Sequence, residues 1–238
     1  MAPRGAGPPD PPRPLLCLVL DRAATRGDLL RAVSAAVSAG VDRVQLRERE
    51  LEGRALLELA DAVSRSAREA AASAGQRLEV VVNRRIDIAL ACGAEGVHLG
   101  FDALPAEQAR ELMGPDALVG VSCHSSAEVA AAGGADYAQL APIFPPLSKP
   151  STRPALGTEA LTRAGTALPV LAQGGIDADN AAACIAAGAA GVAVTGSVLA
   201  AADPAAAAAR LRLALDTAAQ RARAATLSEG AGRGSGWS

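Results

Sequence analysis

The chain has 238 residues, of which 50% are hydrophobic and 2% aromatic, and its formal net charge is −2. This length suits a single α/β barrel, and the small charge gives no field that would steer the chain to nucleic acid or to an anionic membrane. No apolar run is long enough to span a bilayer. The cysteines lack metal-ligand spacing and predict free thiols in a reducing, cytoplasmic compartment; they are Cys17, Cys92, Cys123 and Cys184.

Short apolar runs alternate with helical segments along the whole chain. Strands are predicted at 15–20, 41–47, 78–82, 96–99, 118–122, 137–140, 169–172 and 190–194. Helices are predicted at 28–39, 52–74, 86–92, 105–113, 127–132, 158–164, 178–187 and 204–224. Alternating strands and helices fit either a barrel or a doubly wound sheet. Eight such pairs in this length favour the barrel, so we predict a single-domain α/β protein, a (β/α)8 TIM barrel.

Both ends of the chain are predicted to be disordered extensions. Residues 1–14 are rich in Pro and Gly and lack a signal-peptide core, and residues 227–238 resemble them in composition. The barrel domain is therefore expected to occupy residues 15–226.

Polar residues recur at the carboxyl ends of the predicted strands, where barrel enzymes place their active sites. They are Arg47, Asn83, His98, Ser122, His124, Gln139, Gln173 and Thr195. The chain has two histidines, and both lie at such junctions. A single histidine there is most simply explained by hydrogen bonds to nearby backbone, but two favour a function for at least one. His124 also precedes Ser125 and Ser126, which can cap the next helix.

Glycine-bearing turns follow the seventh and eighth strands. They contain Gly174 and Gly175 in one turn, and Gly196 with Ser197 in the other. Tight turns alone would explain one such pair. Two pairs, at the strands where barrels commonly bind phosphate through backbone N–H groups, predict a phosphate site. Lys149, the only lysine, lies in a long proline-rich loop over 141–156 and could reach a phosphate or a carboxylate.

Several segments occur together in a characteristic order. They are Val44-Gln-Leu-Arg-Glu48, Val82-Asn83, Gly96-Val-His-Leu-Gly100, Ala135-Asp-Tyr137, Pro142-Ile-Phe-Pro145 with Lys149, and Gly174-Gly175. Over roughly residues 15–200 the chain thereby resembles the thiamine phosphate synthase/TenI family. The resemblance implies a TIM barrel acting on a thiazole phosphate in thiamine biosynthesis. In that family the synthase joins a pyrimidine pyrophosphate to the thiazole phosphate with Mg²⁺, whereas the TenI branch is a thiazole tautomerase.

Departures from the synthase pattern bear on the choice between these activities. The synthase has Asn-Asp after the third strand, where this chain has Asn83-Arg84, and the second metal-binding Asp is replaced by Ala103. Mg²⁺ prefers carboxylate oxygens, which Arg84 cannot supply; only Asp102 lies near the second position. His124 falls where the TenI branch carries its catalytic histidine. A cofactor-free thiazole tautomerase, an isomerase, is therefore expected, with two alternatives. One is a synthase, a transferase, that uses Mg²⁺ through Asp102; the other is an inert phosphate-binding regulatory barrel.

The resemblance implies a role for each site residue. His124 is the expected general acid/base. Backbone donors of Gly174, Gly175, Gly196 and Ser197, together with Lys149, would hold the phosphate. The rest of the pocket would be lined by Gln45, Arg47, Asn83, His98, Ser122 and Ser148. The expected partner is a small phosphorylated thiazole, without nucleic acid or membrane, and a homo-oligomer is compatible with these features.

Overall fold

Eight parallel strands close into one barrel in the computed structural model, which describes residues 13–145, 154–165 and 168–232. Each strand pairs with its successor, and the eighth returns to the first. The strands are β1 Leu15–Leu20, β2 Arg43–Leu46, β3 Glu79–Asn83, β4 Gly96–Leu99, β5 Leu118–Cys123, β6 Tyr137–Leu140, β7 Val170–Gln173 and β8 Gly191–Val194. The predicted (β/α)8 TIM barrel is confirmed.

Helices cover the outside of the barrel. They are α1 Leu29–Ser38, α2 Gly53–Ser73, α3 Ile86–Ala91, α4 Ala106–Met113, α5 Ser126–Ala130, α6 Glu159–Ala164, α7 Ala181–Ala186, α8 Gly196–Leu199 and α9 Pro204–Gly232, and a 3₁₀ turn spans Arg22–Ala24. The sequence did not predict α8, because four residues are too few for a helical period to show. None of the helices in the described ranges is both long and apolar enough to cross a membrane.

Both ends of the barrel domain differ from the prediction. Helix α9 continues to Gly232, past the expected end near Ala224 and past the start of the expected tail, because its alanine-rich sequence has high helix propensity. Arg13, placed in the disordered extension, pairs with Asp216 at 3.2 Å and with Asp42 at 3.4 Å. Residues 1–12 and 233–238 lie outside the described residues, so the extensions stay predictions there.

Side chains alternate between the two faces of each strand, and this separates two cores. One face of each strand packs against the helices, where residues such as Leu16, Leu18 and Val44 join a large apolar cluster. The other face points into the barrel, where the apolar cluster is small and consists of Cys17, Val19, Tyr137, Leu171 and Ala193. Other interior positions carry buried polar side chains, and three of these, Gln45, His98 and Gln139, lie beneath the site.

An arginine and a tyrosine fill the amino-terminal end of the barrel. The Arg43 guanidinium lies 4.2 Å from the centroid of the Tyr137 ring, and its Nη2 is 2.6 Å from Glu79 Oε2. Gly120 makes room for the ring, since a Cβ there would lie 2.1 Å from Tyr137 Cζ. With this end filled, the opposite, carboxyl end of the barrel is the open one.

Candidate functional site

A cleft of about 710 Å³ opens at the carboxyl ends of the strands. It brings together most of the polar residues that were predicted to meet there: Arg47, Asn83, Ser122, His124, Gln173 and Thr195. The other lining residues are Val19, Glu48, Arg49, Leu51, Glu52, Leu56, Arg84, Arg85, Gly100, Phe101 and Asp102. Side chains remote in sequence thus share one cavity, as the parallel barrel requires.

A smaller pocket of about 210 Å³ adjoins the cleft after β7 and β8. The predicted phosphate residues Gly174, Gly175, Gly196 and Ser197 line it, and Gln173 and Thr195 line both cavities. The Ser197 Oγ is buried and has no hydrogen-bond partner within the described ranges. A buried hydroxyl without a partner is costly, so it suits a pocket that receives a polar ligand.

Close packing also requires the glycines of this pocket. Gly174 and Gly175 have φ values of +92° and +63°, in the left-handed region that favours glycine. A Cβ at Gly174 would lie 2.8 Å from Pro142 Cα, and one at Gly175 would lie 2.2 Å from the Pro145 carbonyl oxygen. The turn and the close approach of the loop after β6 therefore explain both glycines without a ligand, and phosphate binding there stays a prediction.

A chain of amide side chains forms part of the floor. Gln139 Nε2 donates to Gln45 Oε1 at 2.6 Å, and Gln45 Nε2 donates to Asn83 Oδ1 at 3.2 Å. Strands β2 and β6 are not neighbours, so this contact crosses the barrel interior. Gln45, predicted to line the pocket, is instead buried beneath the cleft and orients Asn83, which does line it.

His98 is also a floor residue, since it is 1% exposed and does not line the cleft. Its Nε2 lies 2.9 Å from Ser122 Oγ and its Nδ1 lies 3.3 Å from the Tyr137 hydroxyl. Burial, aided by the positive charge of Arg43, lowers the pKa of His98 to about 3. The imidazole is therefore neutral at physiological pH. It contacts Ser122, which lines the cleft, and its own contact with substrate stays a prediction.

This burial predicts a pH dependence of stability. An unfolded histidine takes up a proton near pH 6.5, but folded His98 remains neutral until about pH 3, so below pH 6.5 the unfolded chain binds more protons. The free energy of unfolding should therefore decrease as the pH is lowered below 6.5, by about 1.4 kcal/mol per pH unit, or about 2 kcal/mol between pH 6.5 and pH 5. Urea unfolding at pH 7 and pH 5 measures this loss. His98→Gln should show a smaller difference between the two pH values, and an equal difference would contradict the assignment.

His124 lies in the cleft itself, at the carboxyl end of β5. Its backbone N–H donates to Glu128 Oε2 at 2.7 Å, while Ser125 Oγ accepts from the Glu128 N–H at 3.1 Å, which confirms the predicted cap of α5. The imidazole lies 4.4 Å from the Phe101 ring, centroid to centroid. Its Nδ1 is buried and has no hydrogen-bond partner in the part of the chain that the structure describes. His124 is thus the histidine placed to meet a ligand.

Arginines dominate the cleft on the side of β2 and β3. Glu48 fixes the loop that carries two of them, Arg47 and Arg49. Its carboxylate pairs with Arg22, outside the cleft lining, and accepts hydrogen bonds at 2.7 Å from the backbone N–H groups of Arg49 and Glu50. Burial acts to raise the pKa of Glu48, but these hydrogen bonds outweigh it and the pKa is lowered. The Glu48 carboxylate is therefore held charged beneath the loop.

Arg84 occupies an unusual backbone position directly after β3. Its φ is +67°, and the Arg85 N–H donates to the Asn83 carbonyl oxygen at 2.9 Å across it. Such a conformation costs a non-glycine residue on the order of 1–3 kcal/mol. The Arg84 Nη2 lies 2.5 Å from Asp102 Oδ2, in the loop after β4.

The residues present do not fit Mg²⁺ binding of the synthase kind. Asp102 is the carboxylate nearest the expected position, and Arg84 already pairs with it. The described residues contain no group of three or more His, Cys, Asp or Glu side chains placed to hold a metal ion. The loops after β3 and β4 therefore offer a metal ion one carboxylate, and that carboxylate is already paired.

Two expected contacts cannot be placed, and one contact was missed. Lys149 and Ser148 lie outside the described residues. Phe101 was not among the predicted site residues, although it is one of two phenylalanines in a chain with few aromatics and follows a strand end. The available signal was an aromatic residue directly after a strand end. The structure shows that Phe101 is exposed, although large apolar side chains are usually buried.

The family model and the sequence relatives agree on one family. The family model described as thiamine monophosphate synthase matches residues 16–198. The thiamine-phosphate synthase of Moorella thermoacetica is 44% identical over 187 residues, covering 77% of this chain and 86% of that protein. The thiamine-phosphate synthase of Methanoculleus marisnigri is 45% identical over 197 residues, covering 81% and 89%. The solved thiamine phosphate pyrophosphorylase from Pyrococcus furiosus superimposes with a TM-score of 0.75 at 29% identity, covering 86% of this chain and 96% of that one.

Proposed function

The chain belongs to the thiamine monophosphate synthase family, and from this premise we propose that it condenses hydroxymethylpyrimidine pyrophosphate with thiazole phosphate and releases pyrophosphate. The relatives named as thiamine-phosphate synthases support this transferase activity, which the sequence analysis kept as its first alternative. They do not support the thiazole tautomerase, which was the activity first expected from the sequence.

The observation that carries the proposal is the presence of two separate regions suited to anions. Four arginines line the cleft on the side of β2 and β3: Arg47, Arg49, Arg84 and Arg85. The glycine pocket with Ser197 lies after β7 and β8, and the two cavities share Gln173 and Thr195. A synthase binds a pyrophosphate and a monophosphate together, whereas a tautomerase binds one phosphate ester. Two adjoining anion regions therefore favour the two-substrate reaction.

The proposed condensation requires a site that stabilises the leaving pyrophosphate more than it requires a general base. The lone pair of the thiazole ring nitrogen forms a bond to the pyrimidine methylene carbon, while the carbon–oxygen bond breaks and pyrophosphate leaves with its electron pair. That nitrogen carries no proton to remove. Arginine guanidinium groups placed around the leaving group would stabilise the charge that develops on it. The rings of Phe101 and His124 offer an aromatic surface to a heterocyclic substrate.

An activity assay with the purified full chain tests the proposal. Hydroxymethylpyrimidine pyrophosphate and thiazole phosphate are supplied together, with Mg²⁺ or with EDTA, and thiamine phosphate and pyrophosphate are quantified. We expect both products in equal amounts. Formation of the aromatic thiazole from its tautomer, without condensation, would instead establish the tautomerase. Binding of the substrates without any turnover would support the inert regulatory barrel.

His124 separates the two enzymatic activities. The tautomerase remains a second candidate because His124 lies in the cleft with its Nδ1 unpartnered in the described chain. As the proton carrier, His124 would contribute ~10²–10⁴-fold to the rate. In the condensation it only contacts the substrate ring, so His124→Gln should lower kcat by less than about tenfold, a loss below that of general acid–base catalysis. A loss of kcat near 10³-fold would count against the proposed role.

Other expectations accompany this proposal and stay predictions. The substrates are small phosphorylated molecules, as the family membership supports. A cytoplasmic location and a homo-oligomeric state remain expectations from the sequence. Size-exclusion chromatography with light scattering would measure the oligomeric state directly.

A further inference from the structure

We propose that Arg84 binds the pyrophosphate group directly and takes the place of a divalent metal ion, with Asp102 as the counterion that pyrophosphate displaces. The inference rests on the proposed condensation for the identity of the anion. It concerns the binding step alone, so it can fail or hold independently of turnover.

The position of Arg84 is fixed by the barrel. Its backbone N–H donates to the His98 carbonyl oxygen at 2.9 Å, in continuation of the pairing between β3 and β4. The turn closed by the Arg85 N–H then places both Arg84 and Arg85 on the rim of the cleft. The loops after β3 and β4 are the two from which the resemblance expects carboxylate ligands. Here one supplies a guanidinium and the other supplies Asp102, paired with it at 2.5 Å.

The charges of the cleft suit a polyanion better than a cation. Four arginines face three acidic side chains, Glu48, Glu52 and Asp102. Arg22 already pairs with Glu48, and the guanidinium of Arg84 pairs with Asp102. The other ion-paired arginines of the cleft have partners outside its lining, which are Asp21 for Arg47 and Asp87 for Arg85. Arg49 has no ion pair in the described ranges and adds an available positive charge. A metal ion would need to displace Arg84 from Asp102 and then face four nearby guanidinium groups, whereas pyrophosphate would be attracted by all of them.

The ion pair with Asp102 can open at little cost. The side chains of Arg84 and Asp102 are 48% and 69% exposed, and exposed ion pairs contribute little to stability because water solvates both partners. Pyrophosphate offers more charge and more acceptor oxygens than one carboxylate, and a guanidinium can bind two of its oxygens at once. Asp102 therefore competes weakly with the ligand, and its removal should strengthen binding.

Titration calorimetry with inorganic pyrophosphate tests the inference, using the full chain in EDTA and again with Mg²⁺. We expect the wild-type protein to bind in EDTA. Arg84→Gln should weaken that binding by about 10–100-fold, the usual range for losing charge-assisted hydrogen bonds. Asp102→Asn should strengthen it by a few-fold, about the size of an exposed ion pair. These opposite effects could not arise from a shared loss of folding.

A matched control variant distinguishes direct contact with pyrophosphate from the general effect of removing a positive charge. Arg68 on α2 also pairs with a half-exposed carboxylate, Glu95 at 2.9 Å, but it does not line the cleft. Arg68→Gln should leave pyrophosphate affinity unchanged. Binding seen only with Mg²⁺, or an Arg84→Gln protein with wild-type affinity in EDTA, would overturn the inference. If condensation requires Mg²⁺, the proposed function still holds. If pyrophosphate binds in EDTA but no condensation occurs, the proposed function is overturned and the role of Arg84 in binding still holds.

Discussion

Ser197→Asp is expected to lower the affinity for thiazole phosphate by about 10³-fold. The Ser197 hydroxyl is buried in the pocket after β7 and β8, so the new carboxylate would face the phosphate at close range. Two unit charges 4 Å apart repel by about 4 kcal/mol at an effective dielectric constant of about 20, and each 1.4 kcal/mol is tenfold in affinity. Titration calorimetry with thiazole phosphate measures the change.

Two further variants separate charge from shape at this position. Ser197→Asn has nearly the size of the aspartate variant without its charge, and Ser197→Ala removes only the hydroxyl; both should lose about tenfold or less, the value of one hydrogen bond. Gly175→Asp would be a poorer probe, because its Cβ would meet the Pro145 carbonyl oxygen at 2.2 Å whether or not phosphate binds. Wild-type affinity in a folded Ser197→Asp protein would place the phosphate elsewhere.

Tyr137→Ala should reduce the free energy of unfolding by about 3–5 kcal/mol, the usual range for truncating a buried aromatic side chain. Tyr137 is fully enclosed at the amino-terminal end of the barrel, where the Arg43 guanidinium covers its ring. Removing the ring leaves a cavity and uncovers a buried cation, and the short strands around it cannot collapse to fill the space. Urea unfolding at pH 7 measures the loss.

The matched control keeps the ring and removes only the hydroxyl. Tyr137→Phe loses the contact with His98 Nδ1 at 3.3 Å but retains the cation–π contact with Arg43, so it should cost about 1 kcal/mol. If the phenylalanine variant were as unstable as the alanine variant, the hydrogen bond rather than the packing of the ring would hold this end of the barrel.

Local sequence patterns were sufficient for most of the architecture. Strands such as β4 and β6 were placed at their observed bounds, because apolar runs between glycine or polar turns depend on neighbouring residues alone. The same reasoning missed α8 and the extension of α9. A four-residue helix has no measurable period, and the end of an alanine-rich helix is not marked by a glycine or proline close to Ala224.

The candidate site was harder to predict from local sequence patterns. Strand order brought the polar strand-end residues together as expected, but it could not show how far each side chain reached into the cleft. His98 and His124 both follow the pattern of a strand-end residue. Only the structure shows that His98 is enclosed between Ser122 and Tyr137, with a pKa near 3, and that His124 faces the cleft.

The sequence by itself determined the barrel, the family resemblance and the loss of the two expected carboxylates, because each depends on residue type and order along the chain. The tertiary structure alone decided which side chains are buried and which polar groups meet. Arg84 is predicted from sequence only as a missing ligand. Its pairing with Asp102 across two loops could not be inferred, because a long-range contact depends on the register of β3 against β4 and on the backbone turn after Asn83.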